Sequence, residues 1–326
     1  MTADLNETIT AVPGITVGHA SDVAARTGCT VVLGPFRAAL DIRGLAASTR
    51  QTDALSPLHI TGRADAILLT GGSAYGLAAA DGVMRWLEAR GRGFETAAAR
   101  VAIVPTAVIF DLGEGRADRR PDAEMGRLAC DAATRHPVRE GRIGVGTGAT
   151  VGKVRGHDGA MPGGLGSAAA SFDGVTVGAL AVVNAFGDVL NDRGAIIAGA
   201  RAEDGRLLDT ARYIREHGVP TGFRRSAGEH TTLGVIATDA PLERTDLEKV
   251  ARQAMNAVVR HTSPANSPFD GDVTFACSTA PEPQPRDPHH ILRIGLWAEW
   301  LLSRAIQRAV EPGQAGGPSG EGSDYR

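Results

Sequence analysis

Two apolar runs near the start of the chain constrain its fold most. Residues 29–33 and 38–42 consist mainly of aliphatic and β-branched side chains, and Gly34-Pro35-Phe36 separates them. This spacing predicts a hairpin of two strands. Neighbouring positions of a strand face opposite sides of a sheet, so largely apolar runs indicate a sheet that is covered on both faces by other layers.

Other segments add helices and further strands. Helical spacing of apolar side chains predicts helices, and apolar β-branched runs predict strands. The helices are expected over residues 74–89, 122–134, 209–217, 241–259 and 289–310, and the main further strands over residues 66–69, 175–183, 231–238 and 273–277. Residues 311–326, with their Gly, Pro and Ser, predict a disordered tail.

The charge balance and the cysteines limit the classes of function. The formal net charge is -3 and the 34 Lys and Arg residues are dispersed, which argues against nucleic acid as a partner. Cys29, Cys130 and Cys277 are far apart and odd in number, which favours a reducing compartment. No run approaches the ~18 apolar residues of a membrane span, and the N-terminus carries no apolar signal region. We therefore expect a soluble cytoplasmic protein that uses no metal and no cofactor.

The 42 glycines lie largely in clusters between short β-branched runs, as tight loops around a site require. The densest segment, residues 141–166, fits no nucleotide-binding motif. A P-loop needs glycine where Thr147 stands and Ser or Thr where Val154 stands, and the G-x-G-x-x-A match in the same segment lacks the helix that should follow. Lys153 remains a candidate: it is either a solvated strand residue or, in a dry site, a cation that lowers the pKa of a nucleophile or stabilises negative charge.

The strand at residues 66–69 continues through Thr70-Gly71-Gly72-Ser73 into a predicted helix. This arrangement places free backbone amides at the start of the helix, where they can bind an anion or a substrate carbonyl. A tight turn without any ligand explains the pattern equally well.

Thr231 and Thr232 lie where a polar, glycine-containing loop becomes an apolar strand. Threonine favours strands, so both residues can simply begin one. If the peptide bond before Thr231 breaks, however, the new α-amine, with an unperturbed pKa of about 8, lies within reach of the Thr231 hydroxyl and can act as its base. The second interpretation makes Thr231 an N-terminal nucleophile.

Three further polar residues lie at strand ends. Asn184 can donate its amide N–H to an oxyanion, although asparagine at this position is more often a turn former. Asp270 and Asp272 precede the strand at 273–277, and in an extended segment their carboxylates point the same way. They can accept hydrogen bonds from an N-terminal ammonium and a hydroxyl, or they form an ordinary Asp-Gly turn or a calcium-type loop.

Taken in order, several motifs resemble one family, the DmpA-type L-aminopeptidase/D-amidase-esterases, which include β-aminopeptidases and endo-type nylon-oligomer hydrolases. The resemblance covers about residues 9–302. It rests on VPGITVGH (residues 12–19), TGGSAYGL (70–77), GTGATVGK (146–153), Val183-Asn184-Ala185, Thr231-Thr232 and Phe269-Asp270-Gly271-Asp272.

The resemblance implies an α+β fold, a four-layer αββα sandwich, made as a precursor that cleaves itself. The cut would fall between His230 and Thr231 and give chains of 230 and 96 residues. Residues 1–230 would form the α chain and residues 231–310 the ordered part of the β chain of the same single domain. The two chains would stay associated, and αβ units would assemble into a homo-oligomer.

Site roles follow from the same resemblance. Thr231 would be the nucleophile and, through its new amine, the general base. The remaining catalytic positions are Lys153, Asn184, Asp270 and Asp272, and the expected substrate-binding residues are Gly71, Gly72 and Tyr75.

Two positions depart from the family pattern. Members related to the nylon hydrolases usually carry asparagine before the threonine, whereas His230 stands here, which predicts slower or differently assisted self-cleavage. Some members carry an active-site tyrosine where Phe110 stands. A phenylalanine ring cannot donate that hydrogen bond, so an oxyanion role would pass to Asn184 or to a backbone amide.

The resemblance predicts an amidohydrolase. It would form an acyl-Thr231 ester from a small peptide or linear amide, release the amine, and let water free the acid. Aminopeptidase-like trimming and endo-cleavage of 6-aminohexanoate (nylon) oligomers both fit. An acyltransferase of the ornithine acetyltransferase type and a binding protein that never cleaves itself are the alternatives.

Overall fold

The computed structural model describes residues 7–220, 230–285 and 287–311, so the predicted tail lies, apart from Glu311, outside the described residues. The helices are α1 (Ala79–Glu88), α2 (Ala123–Asp131), α3 (Thr210–His217), α4 (Arg244–His261) and α5 (Pro288–Arg308). The strands are β1 (Thr16–Asp22), β2 (Thr27–Ile42), β3 (Thr49–Arg50), β4 (Ala64–Thr70), β5 (Phe94–Glu95), β6 (Arg100–Val101), β7 (Thr106–Val108), β8 (Thr150–Val151), β9 (Met161–Pro162), β10 (Gly164–Phe172), β11 (Val175–Asn184), β12 (Asp188–Leu190), β13 (Ile196–Ala198), β14 (Thr231–Thr238), β15 (Thr262–Ser263) and β16 (Val273–Ser278).

The predicted hairpin at the start of the chain is wrong. β2 is one strand of 16 residues that continues through Gly34 and Pro35. Its first half pairs with β1 and β4, and its second half pairs with β16. The register shifts between Leu33 and Phe36, so the Gly-Pro pair marks an irregularity in a continuing strand. Local turn signals cannot show this, because the strands that pair with both halves come from distant parts of the chain.

Two sheets share β2. The first contains β1, the first half of β2, β4, β7 and β3, and the second contains β10, β11, β14, β16 and the second half of β2. One apolar core contains side chains of both sheets, which therefore pack face to face. Its members include Val32, Leu69 and Ile109 on the side of the first sheet and Leu180, Val235 and Phe275 on the side of the second.

Helices cover the outer face of each sheet. Val31 and Leu33, the neighbours of Val32 in β2, belong to a separate core with residues of α1 and α2, such as Val83 and Ala129. The outer face of the second sheet packs in the same way against α4 and α5. Each aliphatic side chain buried in these cores contributes about 1.5–3 kcal/mol to stability. The order helix, sheet, sheet, helix confirms the predicted αββα sandwich and the predicted cover on both faces.

The helix predicted from residue 74 begins later. Gly72 and Ser73 have φ angles of 79° and 53°, and residues Ser73–Ala78 form a 3-10 turn before α1 starts at Ala79. At α2, α3 and α5, side-chain caps fix the helix starts near their predicted positions. Asp122 accepts a hydrogen bond from Met125 N at the start of α2, for example. Across the described ranges, every helix is too short or too polar to cross a membrane.

Candidate active site

The predicted catalytic residues meet at one edge of the second sheet. β11 ends at Asn184, and β14 begins at Thr231, which is the register partner of Asn184. β16 runs parallel to β14, so both strands begin at this same edge. Asp270 and Asp272 directly precede β16 and therefore lie beside the start of β14.

Lys153 reaches this edge from a glycine turn. Gly152 has a φ of 73°, and a Cβ there would lie 1.8 Å from Ala200 N, so only glycine fits. Lys153 is buried, and its Nζ donates to the Asn184 backbone oxygen at 3.0 Å and to Asn184 Oδ1 at 2.8 Å. Of 34 basic residues only Lys153 and Lys249 are lysine. Because nearly all other basic residues of the chain are arginine, the rarity of lysine is a sequence signal that Lys153 has a specific role.

Asn184 is completely buried and connects three segments. Its Oδ1 also accepts from Thr150 N at 3.1 Å, and its Nδ2 donates to the Phe110 backbone oxygen at 3.1 Å. Two donors on Oδ1 fix the orientation of the amide. The described contacts make Asn184 the group that orients the Lys153 ammonium, and its predicted donation to an oxyanion stays a prediction.

The acidic pair is buried and hydrogen-bonded. Asp272 accepts from Thr232 N at 2.6 Å and from Asn266 N at 3.0 Å, and Asp270 accepts from the backbone N and the hydroxyl of Ser267. Burial and the neighbouring charge of Asp270 raise the pKa of Asp272 to about 7. Burial also raises the pKa of Asp270, against the opposing effects of Ser267 and Lys153. The pair therefore resists carrying two negative charges at once.

Thr231 and His230 form the bond that the sequence predicts to be cut. Thr231 is buried, and its hydroxyl donates to the His230 backbone oxygen at 2.6 Å. The His230 ring packs against the ring of Phe186, with their centroids 5.0 Å apart. Burial, followed by the positive charges of Lys153 and His157, lowers the pKa of His230 to about 2. The His230 imidazole is therefore neutral at physiological pH.

Sequence reasoning missed two groups of supporting residues. Ser267 lies three positions before Asp270, and its hydroxyl donates a hydrogen bond to the Asp270 carboxylate. A serine three residues from an aspartate is the sequence signal that could have predicted this contact. Glu114 accepts from Thr150 Oγ1 at 3.0 Å and lies 2.7 Å from His157 Nδ1. Burial raises the pKa of Glu114, but these hydrogen bonds outweigh it and the net shift is downward. No local spacing indicates the Glu114 group, because the fold brings its members together.

The predicted substrate-binding residues form a neighbouring loop. Gly72 N donates to Asp111 Oδ1 at 2.7 Å, while the exposed ring of Tyr75 lies under the Arg120 guanidinium at 4.0 Å from its centroid. Among the described residues no hydrogen bond links Gly71, Gly72 or Tyr75 to Thr231. Their role in substrate binding stays a prediction. Over the same described ranges, no cluster of His, Cys, Asp and Glu could hold a metal ion.

Comparisons with known proteins bear on the family and the fold. Residues 7–315 match the family model described as Peptidase family S58. A Mycobacterium tuberculosis (strain ATCC 25618 / H37Rv) protein called an uncharacterized aminopeptidase is 42% identical in an alignment that covers 93% of each chain. A 6-aminohexanoate-oligomer endohydrolase of Kocuria sp. (strain KY2) is 30% identical over 281 residues, which cover 82% of this chain and 73% of that one.

A solved structure shares the fold. It is the L-aminopeptidase D-Ala-esterase/amidase from Ochrobactrum anthropi, which superposes with a TM-score of 0.72 at 22% identity and covers 93% of this chain and 85% of that one. That protein is described as having a variant of the Ntn hydrolase fold. Together with the family match, these similarities show that the chain belongs to peptidase family S58 and is a hydrolase of peptide or amide bonds.

Proposed function

We propose that this chain is a precursor that cuts itself before Thr231 and then acts as an N-terminal-threonine amidohydrolase. One observation carries the proposal: the Thr231 hydroxyl lies 2.6 Å from the carbonyl oxygen of the peptide bond that it would attack, in a buried site. A nucleophile this close to the scissile carbonyl needs only a rotation of its side chain to reach the carbon.

Cleavage would give Thr231 the base that it lacks in the precursor. The freed α-amine takes the hydroxyl proton as the hydroxyl attacks a substrate carbonyl, and it returns the proton to the leaving amine. The Lys153 ammonium acts electrostatically on both His230 and Asp270, which flank Thr231. A nearby positive charge lowers the pKa of an amine, so Lys153 favours the neutral, proton-accepting form of the new terminus.

The substrate class that we propose is small peptides and linear amides. Aminopeptidase-like removal of N-terminal residues is the first candidate activity. The relative named an aminopeptidase, at 42% identity, supports this choice. Endo-cleavage of 6-aminohexanoate oligomers is the second candidate, because the relative with that name is 30% identical. The two activities differ in whether the substrate needs a free amino terminus.

Product analysis by mass spectrometry tests the proposal. Purified wild type and Thr231→Ala are incubated with a short peptide, with the same peptide acetylated at its N-terminus, and with linear 6-aminohexanoate oligomers. Release of the first residue from the free peptide alone supports an aminopeptidase, and internal cleavage of oligomers supports the endohydrolase. With a competing amine present, acyl transfer in place of acid release would favour the acyltransferase alternative. Hydrolysis by Thr231→Ala at the wild-type rate would refute the assigned nucleophile.

We further propose that αβ units assemble into a homo-oligomer in a reducing, cytoplasmic compartment. All three cysteines are buried and free, which fits that compartment. The support for assembly is an apolar stripe on the exposed face of α5, formed by Leu292, Leu296 and Trp300. Exposed positions of a surface helix are normally polar, and those of α4 include Lys249, Arg252 and Arg260.

A further inference from the structure

The carbonyl oxygen of His230 accepts a second hydrogen bond besides the one from Thr231. Gly271 N donates to it at 2.7 Å, within an isolated parallel bridge between His230 and Asp270. The oxygen that would gain negative charge when the Thr231 hydroxyl attacks therefore already has a backbone N–H directed at it. Donors of this kind stabilise the developing charge of a tetrahedral intermediate.

We propose that the Gly271 amide is the oxyanion donor for self-cleavage of the precursor. This inference rests on the proposed function, since it assigns a group to its first step. The Gly271 N–H would also replace the hydrogen bond that a tyrosine at position 110 could donate, because the ring of Phe110 cannot donate one.

The peptide unit that carries this N–H is fixed before the reaction. Its own carbonyl, the Asp270 oxygen, accepts from Ala46 N at 2.9 Å, and the Asp272 carbonyl, two residues further along the chain, accepts from Gly44 N at 3.2 Å. Hydrogen bonds at both ends of one peptide unit polarise it and strengthen the donor. Since the residue 43–47 segment holds the donor in place, little reorganisation is needed as the oxyanion forms.

Residue 271 must also be small. A Cβ at Gly271 would lie 2.9 Å from Thr231 Oγ1 and 3.1 Å from Ala47 Cα. Any side chain there would press on the nucleophile itself. Glycine thus provides both the N–H and the space in which the Thr231 hydroxyl turns from the His230 oxygen toward its carbon.

The step balances without any further cofactor. Thr231 Oγ1 forms a bond to the His230 carbonyl carbon, and the carbonyl electron pair moves to the oxygen that Gly271 N–H holds. Collapse of this intermediate breaks the bond between the carbonyl carbon and the Thr231 nitrogen, and the hydroxyl proton ends on that nitrogen. Water then hydrolyses the His230 ester, which leaves a carboxylic acid on His230 and restores the Thr231 hydroxyl.

Replacing the amide by an ester tests the donor without changing the side chain. Cell-free translation with a suppressor tRNA carrying glycolic acid places an ester oxygen where Gly271 N–H stands. The same replacement at Gly174, in the exposed turn between β10 and β11, is the matched control. Self-cleavage is followed over time by intact mass. We expect cleavage slower by about 100-fold or more at position 271 and an unchanged rate at position 174.

Equal cleavage rates for the two ester proteins would overturn the proposal. If the wild type itself never cleaves, the proposed function fails instead, so the two failures are distinguishable. A second measurement does not depend on how the ester protein folds. In uncleaved Thr231→Ala, nuclear magnetic resonance should show slow exchange of the Gly271 amide proton and a coupling across the hydrogen bond to the His230 carbonyl. A Gly271 amide that exchanges as fast as that of Gly174 would overturn the proposal as well.

Discussion

At the scale of single residues, the candidate site contains a lysine whose side chain is buried. Lys153 is buried, and its ammonium is hydrogen-bonded to Asn184, an amide that carries no charge of its own. Its charge also acts on the carboxyl groups of Glu114 and Asp270. Burying a charge is costly, and buried ionisable residues with such neighbours are common at functional sites. The positive charge of Lys153 is what the proposed mechanism needs near the Thr231 amine.

Removing that charge should abolish the chemistry while the fold is kept. Lys153→Met keeps an unbranched side chain that is shorter by one atom and carries no charge. We expect hydrolysis to fall by about 100-fold or more, because the Thr231 amine and the reacting oxygen lose their nearby cation. Lys249→Met is the matched control, since Lys249 pairs with Asp246 on the exposed side of α4. Initial rates of hydrolysis by both variants are the measurement. A Lys153→Met rate within about threefold of wild type would contradict the role.

The pH dependence of stability should reveal the buried Asp272. Its pKa is raised from 3.8 to about 7, so the folded state favours the protonated carboxyl. The stability that this group contributes is therefore complete below about pH 4 and is lost as the pH rises to about 7. Both proteins are made in the uncleaved Thr231→Ala background and unfolded in urea. Over this interval, we expect the unfolding free energy of the Asp272→Asn variant to increase relative to that of its Thr231→Ala parent.

Comparing Asp272→Asn with its parent is essential, because other buried groups titrate in the same range. Asp111 and Asp188, with pKa values raised to about 6 by burial, act in the same direction as Asp272. His230, whose pKa is lowered to about 2, acts in the opposite direction. Asp53→Asn, at an exposed position, is the control. A difference between Asp272→Asn and its parent that is constant with pH would refute the assignment.

At the scale of helices and strands, the sequence predicted the positions of individual elements better than the way in which strands pair with one another. β14 and the N-terminal cap of α2 match their predicted places, because a periodic apolar pattern and a capping aspartate act locally. The predicted hairpin failed because β2 is held straight by strands from elsewhere in the chain. The predicted start of α1 is wrong because Gly72 and Ser73 have positive φ angles. The spacing of apolar residues does not reveal such angles.

The close packing of α5 on the second sheet depends on a glycine in β10. A Cβ at Gly166 would lie 2.1 Å from the Ala305 backbone oxygen of α5. Gly166→Ala must therefore push the helix outward, and we expect it to lower the unfolding free energy by about 1–3 kcal/mol. Ser171→Ala, at an exposed position of the same strand, should change it by less than about 0.5 kcal/mol. Denaturant unfolding of the two variants is the measurement, and equal stabilities would show that α5 does not pack as described.

At the scale of the whole molecule, the αββα arrangement was available from the sequence only through family resemblance. Apolar periodicity predicted that the sheet was covered, but the number of sheets and their order depend on long-range pairing. The candidate site shows the same limit. Its candidate residues could be proposed from motifs, whereas the hydrogen bond from Gly271 N to the His230 oxygen appears only when residues 230 and 270 are brought side by side.

The apolar stripe on α5 makes a prediction about assembly. Leu292 and Trp300 lie four positions on either side of Leu296, so an antiparallel pair of α5 helices related by a two-fold axis places Leu292 of one copy against Trp300 of the other. We expect Leu296→Arg to shift the protein to a smaller species in analytical ultracentrifugation. Val23→Arg, at another exposed apolar position, is the control. An unchanged sedimentation coefficient for Leu296→Arg would contradict this interface.

The proposed mechanism requires that Thr231 cuts the bond before itself. Denaturing mass spectrometry of purified wild type, Thr231→Ala and Thr232→Ala tests it most directly, since Thr232 offers the same hydroxyl one position away. We expect chains of 230 and 96 residues in the wild type and in Thr232→Ala, with the smaller chain beginning at Thr231, and only the full-length chain in Thr231→Ala. A wild type that stays at full length after long incubation, or a Thr231→Ala protein cut at the same bond, would contradict it.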